Sequence, residues 1–248
     1  MADVPDSARA DRDAHRFSAS LGDLATRYGL DATAVWRLGT LGALLVCDRL
    51  APTTVRDPVR VRDDHLADAL VALDLPQLRS ARQIADLGAG AGVPGLPLAV
   101  ALPGARVTLI EANGRKCAFM ARAVELMALK NAEIVQARAE AWTLGLGQND
   151  LVTARALAGL DVVAEYAAPL LKIGGVVVVW KGRRELAAEA DAVRAAAVLG
   201  LRVHEPLQVM PYGAAEHRYL HVMSKIEETP TRFPRRVGVA RKRPLGRA

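Results

Sequence analysis

Residues 86–95 read DLGAGAGVPG and combine an acid, alternating glycines and a proline. Glycine lets the backbone turn sharply and lets a ligand approach without interference from Cβ atoms. Pro94 occupies a position typical of the start of a helix, and a further acid, Glu111, lies about 20 residues further on. These residue types predict a loop between a strand and a helix that binds a nucleotide-like cofactor.

Two templates fit this loop. Gly90, Gly92 and Gly95 have the Gly-x-Gly-x-x-Gly spacing of dinucleotide sites, in which Glu111 would hold a ribose. Residues 86–92 also match an acid, one residue and then Gly-x-Gly-x-Gly, which is typical of methyltransferases that use S-adenosylmethionine. The first template predicts an NAD-dependent oxidoreductase and the second a methyltransferase.

Asp86 favours the methyltransferase. A carboxylate before the glycines would repel a pyrophosphate, whereas it suits the cationic ammonium and sulfonium groups of S-adenosylmethionine. We therefore expect Asp86 and Gly90 to contribute to a site for S-adenosyl-L-methionine without a metal, and Glu111 to accept hydrogen bonds from both ribose hydroxyls. The oxidoreductase is kept as the alternative.

The pattern around the loop predicts strands that alternate with helices, which is typical of βαβ units in a parallel sheet. The last two strands have no helix between them and should pair antiparallel. We therefore expect an α/β fold, a Rossmann-like class I methyltransferase whose seven-stranded, mostly parallel sheet ends in an antiparallel hairpin. The predicted strands are 83–87, 106–110, 133–137, 150–154, 175–180, 202–209 and 218–226, and the predicted helices are 94–102, 114–129, 160–171 and 184–199.

A helical extension is predicted before this sheet. Asp31 lies where it can cap a helix after the turn at Gly29, and a further helix is predicted from His65 to Leu75. The predicted division of the chain is 1–80 for the extension, 81–226 for the cofactor-binding domain and 227–248 for a basic C-terminal tail. The inward positions of the first two helices are predicted at Leu21, Leu24, Ala25, Tyr28, Val35, Leu38, Leu41, Leu44 and Leu45.

The amino-acid composition disfavours several other kinds of protein. The 248 residues are 51% hydrophobic but only 4% aromatic, which predicts an aliphatic core and disfavours an RNA-binding module that stacks bases on aromatic side chains. Cys47 and Cys117 form no CxxC pair, which disfavours a disulfide framework, a zinc site and cysteine catalysis. No signal peptide or membrane anchor is evident in the sequence, so we expect a cytoplasmic protein.

Charge is concentrated at the C-terminal end. The net charge is +6, and the segment from Lys225 to the end carries eight basic and two acidic residues, so the rest of the chain is neutral. Clustered arginines bind phosphates, and the tail is therefore predicted to contact a polyanion. A solubilising terminus is the alternative.

The fourth predicted strand bears on the methyl acceptor. Enzymes that methylate exocyclic amines of bases usually carry an Asn/Asp-Pro-Pro-aromatic motif after it, whereas residues 153–158 read TARALA. A ring nitrogen such as guanine N7 has an in-plane lone pair and no proton, so its methylation needs alignment but no general base. The sequence assigns no catalytic residue.

Several segments together carry a family resemblance. They are the glycine loop, TARA at 153–156, WKG at 180–182 and FPRRVGVARKRPL at 233–245. With these segments the chain resembles the RsmG family, also called glucose-inhibited division protein B, over residues 20–246. The resemblance implies transfer of a methyl group from S-adenosylmethionine to N7 of a guanine in the decoding-region loop of 16S ribosomal RNA, within the small ribosomal subunit or its precursor. We expect the protein to act as a monomer.

The resemblance also implies site residues. Glu140 could alternatively be a charge at a helix N-terminus, and Arg155 could hold a substrate phosphate or pair with an acid such as Glu140. The residues that fall at cofactor-binding positions are Gly88, Val93, Ala139, Glu140 and Arg155. The candidates for RNA contact are Lys181, Arg235, Arg236, Arg241, Lys242 and Arg243. We expect Arg235→Ala with Arg236→Ala to weaken RNA binding and to spare cofactor affinity.

The N-terminal part departs from the family pattern. Residues 46–53 read VCDRLAPT where Trp-Asn-Lys and Asn-Leu-Thr are common, and residues 64–69 read DHLADA where Arg-His-x-x-Asp-Ser is usual. His65 is expected to be a satisfied helix residue rather than a catalytic one. The departures keep open a third hypothesis, a non-catalytic module that binds S-adenosylmethionine and ribosomal RNA.

Overall fold

The computed structural model describes residues 13–15 and 17–246. Its centre is an eight-stranded sheet in the order β3-β2-β1-β4-β5-β8-β6, with β7 also paired to β8. Strands β1 to β5 are parallel, and β8 pairs antiparallel with β5, β6 and β7. The predicted α/β plan with an antiparallel end is confirmed. The strands are β1 (Gln83–Leu87), β2 (Arg106–Glu111), β3 (Ala132–Gln136), β4 (Asn149–Arg155), β5 (Leu171–Lys181), β6 (Leu201–Val203), β7 (Leu207–Gln208) and β8 (Tyr219–Lys225).

The number of strands differs from the prediction. The segment 202–209 was expected to be one strand, but it forms β6 and β7 with a break between them. Pro206 lies in this break, and a proline has no N–H to donate to a neighbouring strand. One predicted strand therefore becomes two, and both pair with β8.

Helices cover both faces of the sheet. The segment predicted as a helix from His65 to Leu75 begins earlier, at Pro58, and changes pitch through a π-helical turn (Arg62–Ala67) and a 3₁₀ turn (Val71–Asp74). The α-helices are α1 (Gly22–Tyr28), α2 (Ala32–Cys47), α3 (Pro58–Val61), α4 (Asp68–Leu70), α5 (Pro76–Ser80), α6 (Gly95–Ala101), α7 (Gly114–Leu126), α8 (Leu160–Ala167), α9 (Leu186–Leu199) and α10 (Val239–Lys242).

The N-terminal helices share a hydrophobic core with the sheet. Leu38 and Leu66 are completely buried and belong to the same cluster as Ile84 of β1 and Val107 of β2. The Asp31 side chain accepts a hydrogen bond from Ala34 N, so the predicted helix cap is confirmed. Residues 17–80 therefore pack as one layer of the fold, continuous with the cofactor-binding part of the chain.

The C-terminal segment is also part of the fold up to Gly246. Phe233 and Ala240 are buried in the cluster that α8 and α9 form against the second face of the sheet. The expectation of a basic tail beside a separate domain is therefore corrected for residues 227–246, while 247 and 248 lie outside the described residues. Apolar residues spaced between the bases explain this packing.

A buried amide fixes the chain before β4. Asn149 is 4% exposed, and its side-chain nitrogen donates to the carbonyl oxygens of Gly145 and Leu170 at 3.0 Å each. Asn149→Asp places a carboxylate oxygen against two carbonyls and leaves both without a donor. We expect the free energy of unfolding to fall by about 2 kcal/mol or more, measured by urea denaturation.

Gln148→Glu is the matched control for this substitution. It makes the same change at the adjacent residue, whose side chain is exposed and donates only to Leu146 O. Exposed substitutions of this kind change stability by no more than about 0.5 kcal/mol. Equal effects of the two variants would contradict the role given to Asn149.

Candidate active site

The glycine loop leaves β1 and enters α6. Gly88, Gly90 and Gly92 have φ values of +65°, +60° and +80°, which side-chain-bearing residues rarely adopt. A Cβ at Gly88 would lie 2.6 Å from Leu157 Cδ1, and one at Gly92 would lie 2.3 Å from Leu96 Cδ1. The glycines are therefore required both for the turn and for close packing of the loop.

Asp86 lies beneath the loop and has no solvent exposure. Its Oδ2 accepts from Gly95 N at 3.0 Å, and its Oδ1 accepts from Thr153 Oγ1 at 2.9 Å. Burial raises the pKa of this carboxyl to about 7. These hydrogen bonds join Asp86 to the loop and to β4, and its expected contribution to the cofactor site stays a prediction. Because α6 begins directly beside this carboxylate, Asp86 meets the helix N–H and holds the loop in place.

Glu111 ends β2 and faces the loop. Its Oε2 accepts from Gly90 N at 3.1 Å, and its Oε1 accepts from Asn113 N at 2.8 Å. Each carboxylate oxygen can accept more than one hydrogen bond. Glu111 also lines a cavity of about 210 Å³, so its role towards ribose hydroxyls stays a prediction that the geometry allows.

This cavity lies at the carboxyl ends of β1 to β4, where open α/β sheets bind ligands. Gly88, Glu111, Ala139 and Glu140 line it, as their predicted role requires. Gly90 and Val93 belong to the same loop but do not border the cavity. The sequence did not indicate the other lining residues, among them Lys116, Tyr166 and Leu157.

Arg155 ends β4 and turns towards the N-terminal helices. Its Nη1 donates to Asp64 O at 2.7 Å and to Asp68 Oδ2 at 3.1 Å, and its Nη2 lies 3.2 Å from His65 Nδ1. The alternative that Arg155 pairs with an acid is therefore confirmed, with Asp68 as the partner in place of Glu140. In the register of the sheet Ala154 pairs with Leu87, so Arg155 stands beside the start of the glycine loop.

Asp64 and Asp68 lie on the helical segment that begins at Pro58, and their carboxylates bind arginines from three parts of the chain. Asp64 Oδ1 accepts from Tyr212 Oη at 2.6 Å and from Arg218 Nη2 at 3.1 Å, and its Oδ2 accepts from Arg60. Asp68 is 5% exposed, pairs with Arg155, and lies 3.4 Å from Arg218 Nε. We call Asp64, Asp68, Arg155, Tyr212 and Arg218 the carboxylate cluster.

The sequence did not single out this cluster. The spacing of Asp64 and Asp68 by four residues, which places them on one helix face, was the available signal. Burial raises the pKa of Asp68, and the charge of Arg155 opposes that rise. Trp180 Nε1 donates to Asp68 O at 2.7 Å, so β5 also holds the cluster.

Comparison with known proteins places this site in a family. A family model described as GidB, rRNA small subunit methyltransferase G, matches residues 48–212. The chain belongs to the GidB family. A protein named ribosomal RNA small subunit methyltransferase G from Rubrobacter xylanophilus is 41% identical over 196 residues, 77% of this chain and 75% of the relative. A protein of the same name from Chloroflexus aggregans is 40% identical over 203 residues, 80% of this chain and 84% of the relative.

Solved structures support the fold. A SAM-dependent methyltransferase from Aquifex aeolicus superposes with a TM-score of 0.54 at 17% identity, covering 68% of this chain and 94% of that one. The fibrillarin pre-rRNA processing protein of Methanococcus jannaschii gives 0.50 at 14% identity, covering 62% and 70%. The Rossmann-like class I methyltransferase fold is thus confirmed, and the oxidoreductase alternative is not favoured.

The residues that line the cavity of this GidB-family chain suit groups of S-adenosylmethionine. Gly88 lies in the cavity wall, and a Cβ there would lie 2.6 Å from Cδ1 of Leu157, another residue of the wall. Glu111 and Glu140 supply acceptors for hydroxyl and amino groups. In the described ranges, 13–15 and 17–246, no group of three or more His, Cys, Asp or Glu residues is arranged to hold a metal ion.

The basic residues predicted to contact RNA in this GidB-family chain lie in different environments. Arg235 pairs with Glu165, which is 2% exposed, and also donates to Arg243 O. Its guanidinium neutralises this buried carboxylate, so Arg235 has a structural role, and its contact with RNA stays a prediction. Lys181 donates to Ala158 O at 3.1 Å and is half-buried.

The remaining candidates, Arg236, Arg241, Lys242 and Arg243, are all exposed. Arg241 also donates to Leu157 O at 2.9 Å and lines the cavity. The expectation that Arg235→Ala spares cofactor affinity loses its basis, because Arg235 anchors a segment that borders the cavity. Separately, no helix in the part of the chain that the structure describes is long and apolar enough to cross a membrane.

His65 has partners at both ring nitrogens. Its Nε2 lies 2.9 Å from Thr53 Oγ1, and its Nδ1 faces the Arg155 guanidinium, which only donates. Nδ1 also lies 3.2 Å from Asp64 O, so both ring nitrogens have polar neighbours, as expected for a satisfied helix residue. Burial and the charge of Arg155 lower the pKa of His65 to about 4.

Gly88→Asp is expected to abolish cofactor binding. The new Cβ would contact Leu157, the φ of +65° would be strained, and a third carboxylate would enter the cavity that Glu111 and Glu140 already line. We expect the affinity for S-adenosylmethionine, measured by isothermal titration calorimetry, to fall by about 100-fold or more. Gly213→Asp, at a glycine with open space around it, should bind as the unaltered protein does. Unchanged affinity of a folded Gly88→Asp variant would show that the loop does not form the site.

The His65 imidazole is expected to stay neutral in the folded protein down to about pH 5. Because the folded pKa is lowered from 6.5 to about 4, stability from this group is complete above pH 6.5 and is lost as the pH falls towards 4. Nuclear magnetic resonance titration, with the signal assigned through His65→Gln, measures this directly. The same signal in urea should titrate near 6.5, the ordinary pKa of a histidine, and a folded-state midpoint there would contradict the buried, paired arrangement.

Proposed function

We propose that this protein transfers a methyl group from S-adenosylmethionine to N7 of one guanine in the decoding-region loop of 16S ribosomal RNA. The observation that carries the proposal is a cavity at the sheet edge, bordered by Gly88 of the glycine loop, in a chain of the GidB family. The relatives named above are ribosomal RNA small subunit methyltransferases, and residues 180–182 and 233–245 carry the RsmG pattern.

The chain supplies binding groups at each part of the cavity. S-adenosylmethionine, when bound, supplies an electrophilic methyl group on a sulfonium. Glu111 would accept hydrogen bonds from the ribose hydroxyls, and Ala139 and Glu140 would border the adenine. Asp86 keeps the loop in the required shape through Gly95 N and Thr153 Oγ1.

Methylation of guanine N7 agrees with the residues that lie beside the cavity. Guanine N7 carries no proton, so the reaction needs alignment of the lone pair with the methyl group and no base. His65, the titratable ring closest to Arg155 in the carboxylate cluster, is neutral and engaged at both nitrogens. The ion pair between Asp68 and Arg155 holds the end of β4 against the N-terminal helices.

The exposed bases indicate how the RNA would approach. Arg236, Lys242 and Arg243 lie in the segment that borders the cavity through Gly238 and Arg241. Phosphate contacts there would orient the nucleic acid near the site. A single basic patch on an otherwise neutral chain gives weak binding to free RNA. This favours the small ribosomal subunit or its precursor as the substrate. In this proposal the protein binds it as a monomer in the cytoplasm.

Transfer of label from S-adenosylmethionine to small ribosomal subunits tests the proposal. The subunits come from cells that lack this protein, and borohydride and aniline cleavage maps 7-methylguanine. We expect one cut, in the decoding-region loop, and none with the Gly88→Asp variant. Incorporation without cleavage would mean that another atom is methylated. No incorporation into subunits or into naked 16S RNA, with cofactor binding intact, would favour the non-catalytic module.

A further inference from the structure

The segment 233–243, which we call the closing segment, is fixed against the cofactor cavity. Phe233 is 7% exposed and Ala240 is 1% exposed, both within the core around α8. Between them Arg235 binds the buried Glu165 and the carbonyl of Arg243, which joins the two ends of the segment. The segment is thus held by apolar burial and by a desolvated ion pair.

Two hydrogen bonds join the closing segment to the cavity wall. Gly238 N donates to Glu140 Oε1 at 3.0 Å, and Arg241 Nη2 donates to Leu157 O at 2.9 Å. Glu140, Leu157 and Arg241 all line the cavity. The polypeptide near the C-terminus therefore forms a wall of the site that begins with the glycine loop after β1.

Arg241 brings a cation to the part of the cavity formed by Glu140 and Tyr166. Burial raises the pKa of the Tyr166 phenol, and the Glu140 carboxylate and the Arg241 guanidinium both lie within reach of it. A guanidinium is planar, stacks on aromatic faces and offers several donors in a fixed plane. These are the properties of a group that binds a purine.

We propose that the closing segment completes the cofactor cavity and that Arg241 is a cofactor-binding residue for the adenine end of S-adenosylmethionine. The inference rests on the proposed function for the identity of the ligand. It assigns to Arg241 a contact with the cofactor in place of the contact with RNA that its charge indicated. The other exposed bases of the segment, Arg236, Lys242 and Arg243, remain the candidates for RNA contact.

Calorimetry with two ligands tests the role of Arg241. S-adenosylmethionine contains both ends of the cofactor, and 5′-methylthioadenosine keeps the adenine and lacks the amino-acid part. Arg241→Ala should weaken binding of both ligands by the same factor, about tenfold. Arg202→Ala, which removes an exposed arginine from β6 at the far end of the sheet, should change neither affinity. Thermal unfolding without ligand shows whether each variant is folded.

Each outcome decides the inference. Unchanged affinities in Arg241→Ala, or weaker binding of S-adenosylmethionine alone, would overturn the adenine contact. If the unaltered protein binds neither ligand, the proposed function fails and the inference fails with it.

Hydrogen–deuterium exchange of the unaltered protein tests the closing segment without any substitution. S-adenosylmethionine should slow the exchange of backbone amides in residues 233–243, because a ligand in the cavity stabilises the wall that contacts it. Protection of the glycine loop without protection of these residues would overturn the closing role and leave S-adenosylmethionine binding intact.

Discussion

The carboxylate of Asp86 joins three parts of the cofactor site without contact with water. It sits on β1, receives the first N–H of α6 and receives the hydroxyl of Thr153 on β4. A carboxylate removed from water costs free energy unless donors surround it, and here the two donors also fix where the loop begins and ends. Gly95 must be glycine for this contact, since a Cβ there would lie 2.7 Å from Asp86 Oδ2. The shape of the glycine loop depends on this one group.

In the carboxylate cluster, too, partly buried carboxylates are surrounded by donors, which here come from distant parts of the chain. Asp64 and Asp68 bring negative charge into a partly buried region, and Arg155 and Arg218 compensate it from β4 and from the start of β8. Removal of one partner from such a group is strongly destabilising, because the other charge is left buried and unpaired. The N-terminal helices are therefore tied to the sheet edge by charge as well as by apolar packing.

Local features of the site could be predicted from the sequence, while its long-range pairs could not. The glycine loop and the Asp31 cap follow from residue types within a few positions of each other. The break at Pro206 follows from the same kind of rule, although the apolar alternation concealed it. The pairing of Glu165 with Arg235 joins residues 70 positions apart. In a single sequence, two such residues look like unrelated charged residues that are both exposed to solvent.

The distribution of the site along the chain has a consequence for biosynthesis. Asp64 is bonded to Tyr212 across 148 positions, and Glu140 is bonded to Gly238 across 98. Contacts of such sequence separation form late, since a long loop must close before they contribute. The closing segment is synthesised after the other residues that line the cavity. The complete cavity therefore forms only once residues 233–243 have left the ribosome and packed against Glu140 and Leu157.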